Sequence, residues 1–356
     1  IDIERHLFAL VASRAVSPRS KLGLERWVGE QVHIDGLPQV SVHNLYRTMD
    51  LLVEHEEAIQ KAIFFSCASL LNLAVDLIFF DTTSTYFETE EADEEGLRRY
   101  GHSKDSRPDL PQIVIGLAVT REGLPIRCWV MKGNTHDASC VEQIQADLAG
   151  WKLNRVVWVM DRGFAGEEQR LTLQRGGAQV IFGEKMRSTS ARCRQALSRA
   201  GRFKTVRDNL EVKQIEVVEG SQTHRFVLVR NPKEAERSKA IRDKLIERLE
   251  AEMEAVNGRV KSKETGHSKA VCRLLSHKTY GKYLRELKNG QLRLNRAALK
   301  EESRYDGKYL LSTTDPSLSA EDVALGYKQL LEVERAFRTL KSTLELRPIY
   351  HRLDER

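Results

Sequence analysis

The sequence contains no C-x-x-C pair. Its five cysteines, Cys67, Cys128, Cys140, Cys193 and Cys272, are odd in number and scattered. That excludes a disulfide framework or a cysteine zinc site and fits a reducing cytoplasm. There is also no internal repeat and no low-complexity tract. A long uninterrupted apolar run is missing too. The least polar stretch, residues 62–80, is broken by Asn72 and Asp76. A central Asp costs about 3 kcal/mol on membrane insertion. The stretch reads instead as a buried helix followed by a core strand, and no membrane partner is expected. Charge of one sign is not in large excess: 57 Lys and Arg face 51 Asp and Glu, a net +6 with a pI of about 9.0. This modest basic balance suits a protein that meets a polyanion.

The 356 residues allow two or three domains with a substantial core. Beginning at Ile1 and ending at Arg356, soon after a long helix, the chain reads as a piece of a longer polypeptide. Residues 1–74 read as a helical N-terminal region. Residues 6–13 are apolar-rich, and 41–63 run without Gly or Pro. Residues 41–52 have the pattern of the second helix of a helix-turn-helix, which would turn His43, Asn44, Arg47 and Thr48 toward DNA. A plain helical bundle satisfies the same pattern.

From residue 75 the grammar becomes α/β. Residues 77–80 and 156–160 are continuously apolar, as in strands buried on both faces, and each is followed by an aspartate, Asp81 or Asp161. Segments 113–119 and 124–130 predict a hairpin, 165–174 a helix and 180–182 a strand. Asp137 is placed to cap a helix over 138–148. The unit pauses near 183. Residues 184–304 read as a mixed α+β insertion: a basic run from Lys185 to Arg207, a hairpin over 210–218 and 224–229, and a charged helix over 234–256. Residues 305–356 return to a strand and then a helix.

That last helix, residues 319–348, carries the chemistry. Ser319 is its expected N-cap, with Asp322 three residues on. At about 100° per residue, Leu325, Leu330, Val333, Ala336, Phe337, Leu340 and Leu344 form one apolar arc. Tyr327, Glu334 and Lys341 recur every seven residues, which predicts one stripe at the edge of that arc. Asp81 and Asp161 each follow a strand, where α/β sheets gather ligand sites. Three convergent carboxylates raise one another's pKa, and a hard divalent cation relieves the repulsion.

Together, DTTST at Asp81, DRGFAG at Asp161 and the helix with Tyr327, Glu334 and Lys341 resemble the DDE transposases of bacterial insertion sequences. The similarity is to the class whose last motif reads Y-x2-R-x3-E-x6-K. Supporting segments are GHSKDSRPDLPQ, GNTHD, YDGKYLL and VERAFRTLKSTLELRPIYH. The likeness covers about residues 75–356. It implies an RNase H-like core with residues 184–304 inserted, and Asp81, Asp161 and Glu334 as catalytic metal ligands for Mg²⁺, or Mn²⁺ in its place, as two ions. It implies cleavage at element ends, then strand transfer into target DNA, with terminal inverted repeats and target duplex as partners of a DNA-bound homodimer near the bacterial nucleoid.

In such a family Tyr327 and Lys341 would hold DNA near the cut. The usual Arg of the motif is Leu330 here, which leaves Arg338 as the substitute base. Arg192, Arg194 and Arg199 are the expected DNA contacts outside the centre, while His102, Lys104, Arg107, His136 and Asp137 are candidates beside it. A metal-dependent nuclease without strand transfer would use the same carboxylates. A disabled, DNA-binding descendant would retain the fold.

Overall fold

The computed structural model describes residues 2–71, 76–151, 153, 157–187, 190–261 and 269–350. The chain divides into two compact units. The first comprises Ile1–Gly183, Thr313–Ser317 and Leu325–Arg356; the second comprises Glu184–Ser312 and Leu318–Ala324.

The first unit opens with four helices, α1 (Ile3–Val16), α2 (Lys21–Glu30), α3 (Val42–Glu54) and α4 (Glu56–Leu70). The side chains of Asp2, Ser20 and Ser41 cap the first three by accepting from backbone N–H groups. Leu24, Trp27, Val28, Leu37 and Leu45 form their shared core. The expected single run over 41–63 breaks at His55. The chain restarts there with Glu56 and Glu57, acids suited to a helix N-terminus. Thr48 does not face outward with His43 and Arg47. It is buried, and its hydroxyl donates to the Asn44 carbonyl at 2.9 Å. It therefore offers nothing to DNA, because one turn of α3 already uses its donor.

A sheet follows, built from β1 (Leu77–Tyr86), β2 (Gln112–Val119), β3 (Pro125–Lys132), β4 (Val157–Met160) and β5 (Gln179–Glu184). Helices α5 (Val141–Ala149) and α6 (Glu167–Arg175) come before and after β4. The strand order is β3-β2-β1-β4-β5. The first three strands are antiparallel, while β4 pairs parallel to β1 and β5 parallel to β4. This is the RNase H-like arrangement that the resemblance implies. On one face Ile78, Phe80, Trp158, Met160, Val180 and Phe182 pack with Ile144, Leu148 and Leu173 of the helices.

β1 runs further than the sequence predicts. It does not end at Asp81 but continues through Thr82–Tyr86, paired with Gln112–Gly116 of β2. Threonine is a strand former, and two of these hydroxyls find partners: Thr82 bonds Asp137, and Ser84 accepts from the Lys104 N–H at 2.8 Å. Asp81 therefore sits in mid-strand.

The second unit contains α7 (Ala191–Ser198), β6 (Lys204–Arg207), β7 (Leu210–Glu219), β8 (Gln222–Arg230), α8 (Pro232–Lys261) and α9 (Lys269–Leu275). It continues through β9 (Leu284–Glu286), β10 (Leu292–Leu294), α10 (Arg296–Ser303) and β11 (Lys308–Thr313). Its main strands are ordered β11-β8-β7-β6, and β9 and β10 form a separate pair. The expected hairpin is β7–β8, turning at Gly220 with φ +62°.

The closing helix is not continuous. Ser319 and Asp322 cap each other reciprocally at its start. The chain then forms α11 (Ala320–Lys328), α12 (Leu331–Arg338) and a π turn over Thr339–Thr343. At the first break Gln329, Leu330, Glu332 and Val333 donate three residues back, at 2.8–3.1 Å. These tighter turns and the wider π turn reset the phase on which a straight seven-residue stripe depends. No helix among the described residues is long and apolar enough to cross a membrane.

Candidate active site

Strand register assembles the centre. Phe80 pairs with Met160 across the parallel β1–β4 ladder. The residue that follows each is Asp81, still within β1, or Asp161, just past the end of β4, so the two lie side by side. Side chains alternate across a sheet. Since Phe80 and Met160 enter the core on one face, both aspartates emerge on the other. Asp161 keeps extended backbone, φ −72° and ψ 168°, before the chain turns.

Asp81 is half-buried, and the Thr82 N–H donates to its Oδ1 at 2.7 Å. Burial pushes its carboxyl up to about 6. The Lys104 ammonium and the Thr82 N–H oppose that shift, whereas Asp137 and Asp161 reinforce it. This is the electrostatic state a cation would relieve. Asp161 receives the Tyr327 hydroxyl at 2.7 Å. The Tyr327 ring lies so close over Gly183 that a Cβ there would be 2.2 Å from its hydroxyl oxygen. Gly183 therefore provides the space in which Tyr327 steadies Asp161.

Two loops deliver the remaining polar groups. Each begins at a glycine that no other residue could replace without backbone movement. A Cβ on Gly101 would be 2.1 Å from the Gly133 carbonyl oxygen, and one on Gly133 would be 2.0 Å from that of Gln112. From the first loop, Lys104 donates to the Thr82 carbonyl at 2.8 Å and to its hydroxyl at 2.6 Å. From the second, Asp137 accepts from the Thr82 hydroxyl and faces Lys104 at 3.3 Å. Asp137 is thus not the helix cap expected of it. The turn it starts has no side-chain cap, because its carboxylate is engaged by Thr82 and Lys104. His136 is exposed.

The terminal helix contributes unevenly. α12 packs on β1 and β2 with Val333 and Phe337 buried. Glu334 is exposed and has no hydrogen-bond or ion-pair partner among the described residues. Those residues include no group of three or more His, Cys, Asp or Glu placed to hold a metal ion. The structure joins Asp81 to Asp161 and leaves Glu334 outside that pair. Leu330 is buried, and Arg338 is exposed without a partner among the described residues. Lys341 donates to Asp105 Oδ1 at 2.8 Å. Burial pulls its ammonium below its usual pKa, against the pull of Asp105.

In the second unit, Arg192 pairs with Glu219 at 3.3 Å. Arg199 and Arg194 are exposed. Arg194 lines an open cavity of about 590 Å³ together with Arg187, Lys282, Arg304 and Lys308, against only Glu301 and Glu302. Glu302 is shared by Arg187 and Lys282. Burial, then Arg230, Lys213 and Arg304, push the Lys308 ammonium below its usual value. Sequence reasoning marked Arg194 by its basic run. It missed Lys282, Arg304 and Lys308, which lie far from it along the chain.

The profile of the family described as "Transposase DDE domain" matches residues 76–355. No curated protein is significantly similar in sequence. Among solved structures, the piggyBac transposase synaptic complex with hairpin DNA is similar at 10% identity and a TM-score of 0.43, over 96% of this chain and 59% of that one. The Mos1 transposase paired-end complex with left transposon end is similar at 12% identity and a TM-score of 0.22, over 51% of this chain and 59% of that one. The Mos1 mariner paired end complex with Mn has 12% identity and a TM-score of 0.21, over 49% and 57%. The chain thus spans about 59% of the length of the first two. At these scores the structural likenesses carry no weight on the site.

Proposed function

Because the chain belongs to the DDE transposase domain family, we propose that it cuts duplex DNA at the ends of a mobile element and joins the freed 3′-OH to target DNA. The observation that carries this reading is the Asp81–Asp161 pair, set side by side by the β1–β4 register, with the Asp81 carboxyl pushed up to about 6. Two half-buried carboxylates beside open backbone suit Mg²⁺, which takes few protein oxygens and fills its remaining positions with water and phosphate oxygens. Mn²⁺ would substitute. Asp81 and Asp161 would hold the first ion, and Glu334 on α12 would complete the set for a pair of ions once DNA is bound. Such ions polarise the phosphate and activate the attacking oxygen.

The chain's own residues then have separate work. Tyr327 fixes one oxygen of Asp161, and the Thr82 N–H fixes one of Asp81. Lys104 holds a positive charge beside the pair. In cleavage, a water oxygen bonds to the scissile phosphorus and gives up its proton to solvent, the P–O3′ bond breaks, and the released O3′ takes up a proton to become the 3′-OH. In transfer, the freed 3′ oxygen bonds to a target phosphorus and gives its proton to solvent, while the target's P–O3′ bond breaks and the displaced O3′ takes up a proton.

Residues 184–304 would be an insertion that tracks DNA backbone, with the cationic cavity and Arg192, Arg194 and Arg199 as phosphate contacts. The N-terminal helices would add a second DNA contact through His43 and Arg47. The complex would be a homodimer on paired ends.

The deciding experiment supplies a duplex bearing the element's ends with Mg²⁺, then a precut 3′-OH end with a target plasmid. Cleavage followed by joined product is expected. Cleavage without joining would leave a nuclease, and binding without cleavage in Mg²⁺ or Mn²⁺ would leave a disabled descendant.

A further inference from the structure

We propose that Lys341 and Arg347 act through Asp105 to hold the loop that presents Lys104 to the carboxylate pair, so that they position the centre instead of gripping DNA. This rests on the cleavage reading above and assigns a different role to the lysine of the closing motif.

The Asp105 side chain is 4% exposed, that of Lys341 11% and that of Arg347 38%. The Lys341 ammonium and the Arg347 guanidinium both donate to the same oxygen, Asp105 Oδ1. The other oxygen, Oδ2, is buried with no hydrogen-bond partner among the described residues. A carboxylate this deeply buried is costly unless paired, and removing one partner leaves an uncompensated charge. A lysine committed in this way has little surface left for a phosphate.

The neighbouring residue shows what the lock holds. Lys104 and Asp105 are consecutive with opposite charges, and they face opposite anchors. Lys104 donates to both oxygens of Thr82 and faces Asp137, while its N–H donates to Ser84 Oγ. Asp105 faces the π turn and the segment after it. Ser106 follows with φ +59°, a left-handed conformation that a non-glycine residue keeps only where its surroundings impose it. The Gly101–Gly133 approach fixes the other end of the loop. Lys341 is therefore linked to the site by a continuous path: its ion pair with Asp105, the peptide bond to Lys104, and the Lys104 contacts with Thr82, the residue after Asp81.

The test uses the full chain with Lys341→Met, Lys341→Arg, Asp105→Asn and the Lys341→Met/Asp105→Asn double variant. Single-turnover cleavage is measured at saturating end duplex, alongside affinity across a salt series. Lys341→Met and Asp105→Asn should each lower cleavage about tenfold or more, the usual scale for a supporting contact, with affinity and salt slope unchanged. Lys341→Arg should restore cleavage, and the double variant should be no worse than the poorer single one.

A drop of about 0.9 in the salt slope with Lys341→Met, with cleavage at saturation intact, would make Lys341 a phosphate contact and overturn the proposal. Amide exchange at Lys104 gives a readout that needs no activity. It should speed up in Lys341→Met and in the more conservative Arg347→Met, and not in Lys328→Met, an exposed cation on α11. Unchanged exchange in both would also overturn the proposal. Failure of the wild-type protein to cleave would sink the functional reading and leave the exchange result standing.

Discussion

The two units handle charge in opposite ways. The first half-buries two acids and braces each with a placed donor, Thr82 N–H for Asp81 and the Tyr327 hydroxyl for Asp161. The second leaves cations around an open cavity, with one carboxylate shared between two of them. The difference follows from what each charge must meet. A small divalent ion demands fixed oxygens, and a strand ladder fixes them with little freedom. A phosphate backbone is met by charge density, so surface cations on several elements suffice.

The largest expected effect breaks the comparison on its acidic side. Asp81→Asn or Asp161→Asn should lower Mg²⁺-dependent end cleavage by about a thousandfold or more, the scale of losing a charge-stabilising group. Gel-shift affinity for the same end should stay within about twofold, because phosphate contacts dominate binding. Near-normal cleavage by either variant would remove that residue from the centre. Glu334→Gln comes next. It should cost about a hundredfold or more in cleavage with end binding retained, although Glu334 is exposed and outside the pair in this structure. Cleavage within a fewfold of wild type would restrict the acidic set to the two aspartates.

A smaller loss sharpens the role of the brace. Tyr327→Phe should reduce cleavage about tenfold, as removal of a donor that orients a metal-holding carboxylate does. Gly183→Ala should show the same defect, since its Cβ would occupy the Tyr327 hydroxyl's space. If Tyr327→Phe alone were silent, the hydroxyl would not be a working part of the centre. The smallest effect lies on the basic side. Arg194→Ala with Lys308→Met should flatten the dependence of log affinity on log salt by about two units in all, with no change in cleavage at saturating DNA. An unchanged slope would return the cavity to an ordinary solvated surface.

Much of the fold was legible because it rests on local pattern. The continuous apolar runs at 77–80 and 156–160 hold the strands Leu77–Tyr86 and Val157–Met160, and the hairpin at Gly123 and the Ser319–Asp322 cap appear where the residues predict them. The misreadings share one cause. The polar residues after Asp81 read locally as a strand end, but Thr82–Tyr86 pair with β2, a partner about thirty residues away that no local window contains. The position of Asp137 predicts a cap, but Thr82 and Lys104 engage its carboxylate.

The sequence by itself determined which residues could carry the chemistry: two aspartates after apolar strands, a Tyr-Glu-Lys series and a basic run, all set by residue type and spacing. Only the tertiary structure decided which of them meet. Parallel register made Asp81 and Asp161 neighbours, and the close approach of Tyr327 to Gly183 gave Asp161 its donor. The break at 329–330 and the π turn at Thr339–Thr343 removed the straight stripe, leaving Glu334 exposed and tying Lys341 to Asp105. Spacing fixes direction only while a helix keeps its 3.6-residue period. Where the backbone changes period, the direction of every later side chain depends on packing against distant residues, which local sequence does not encode.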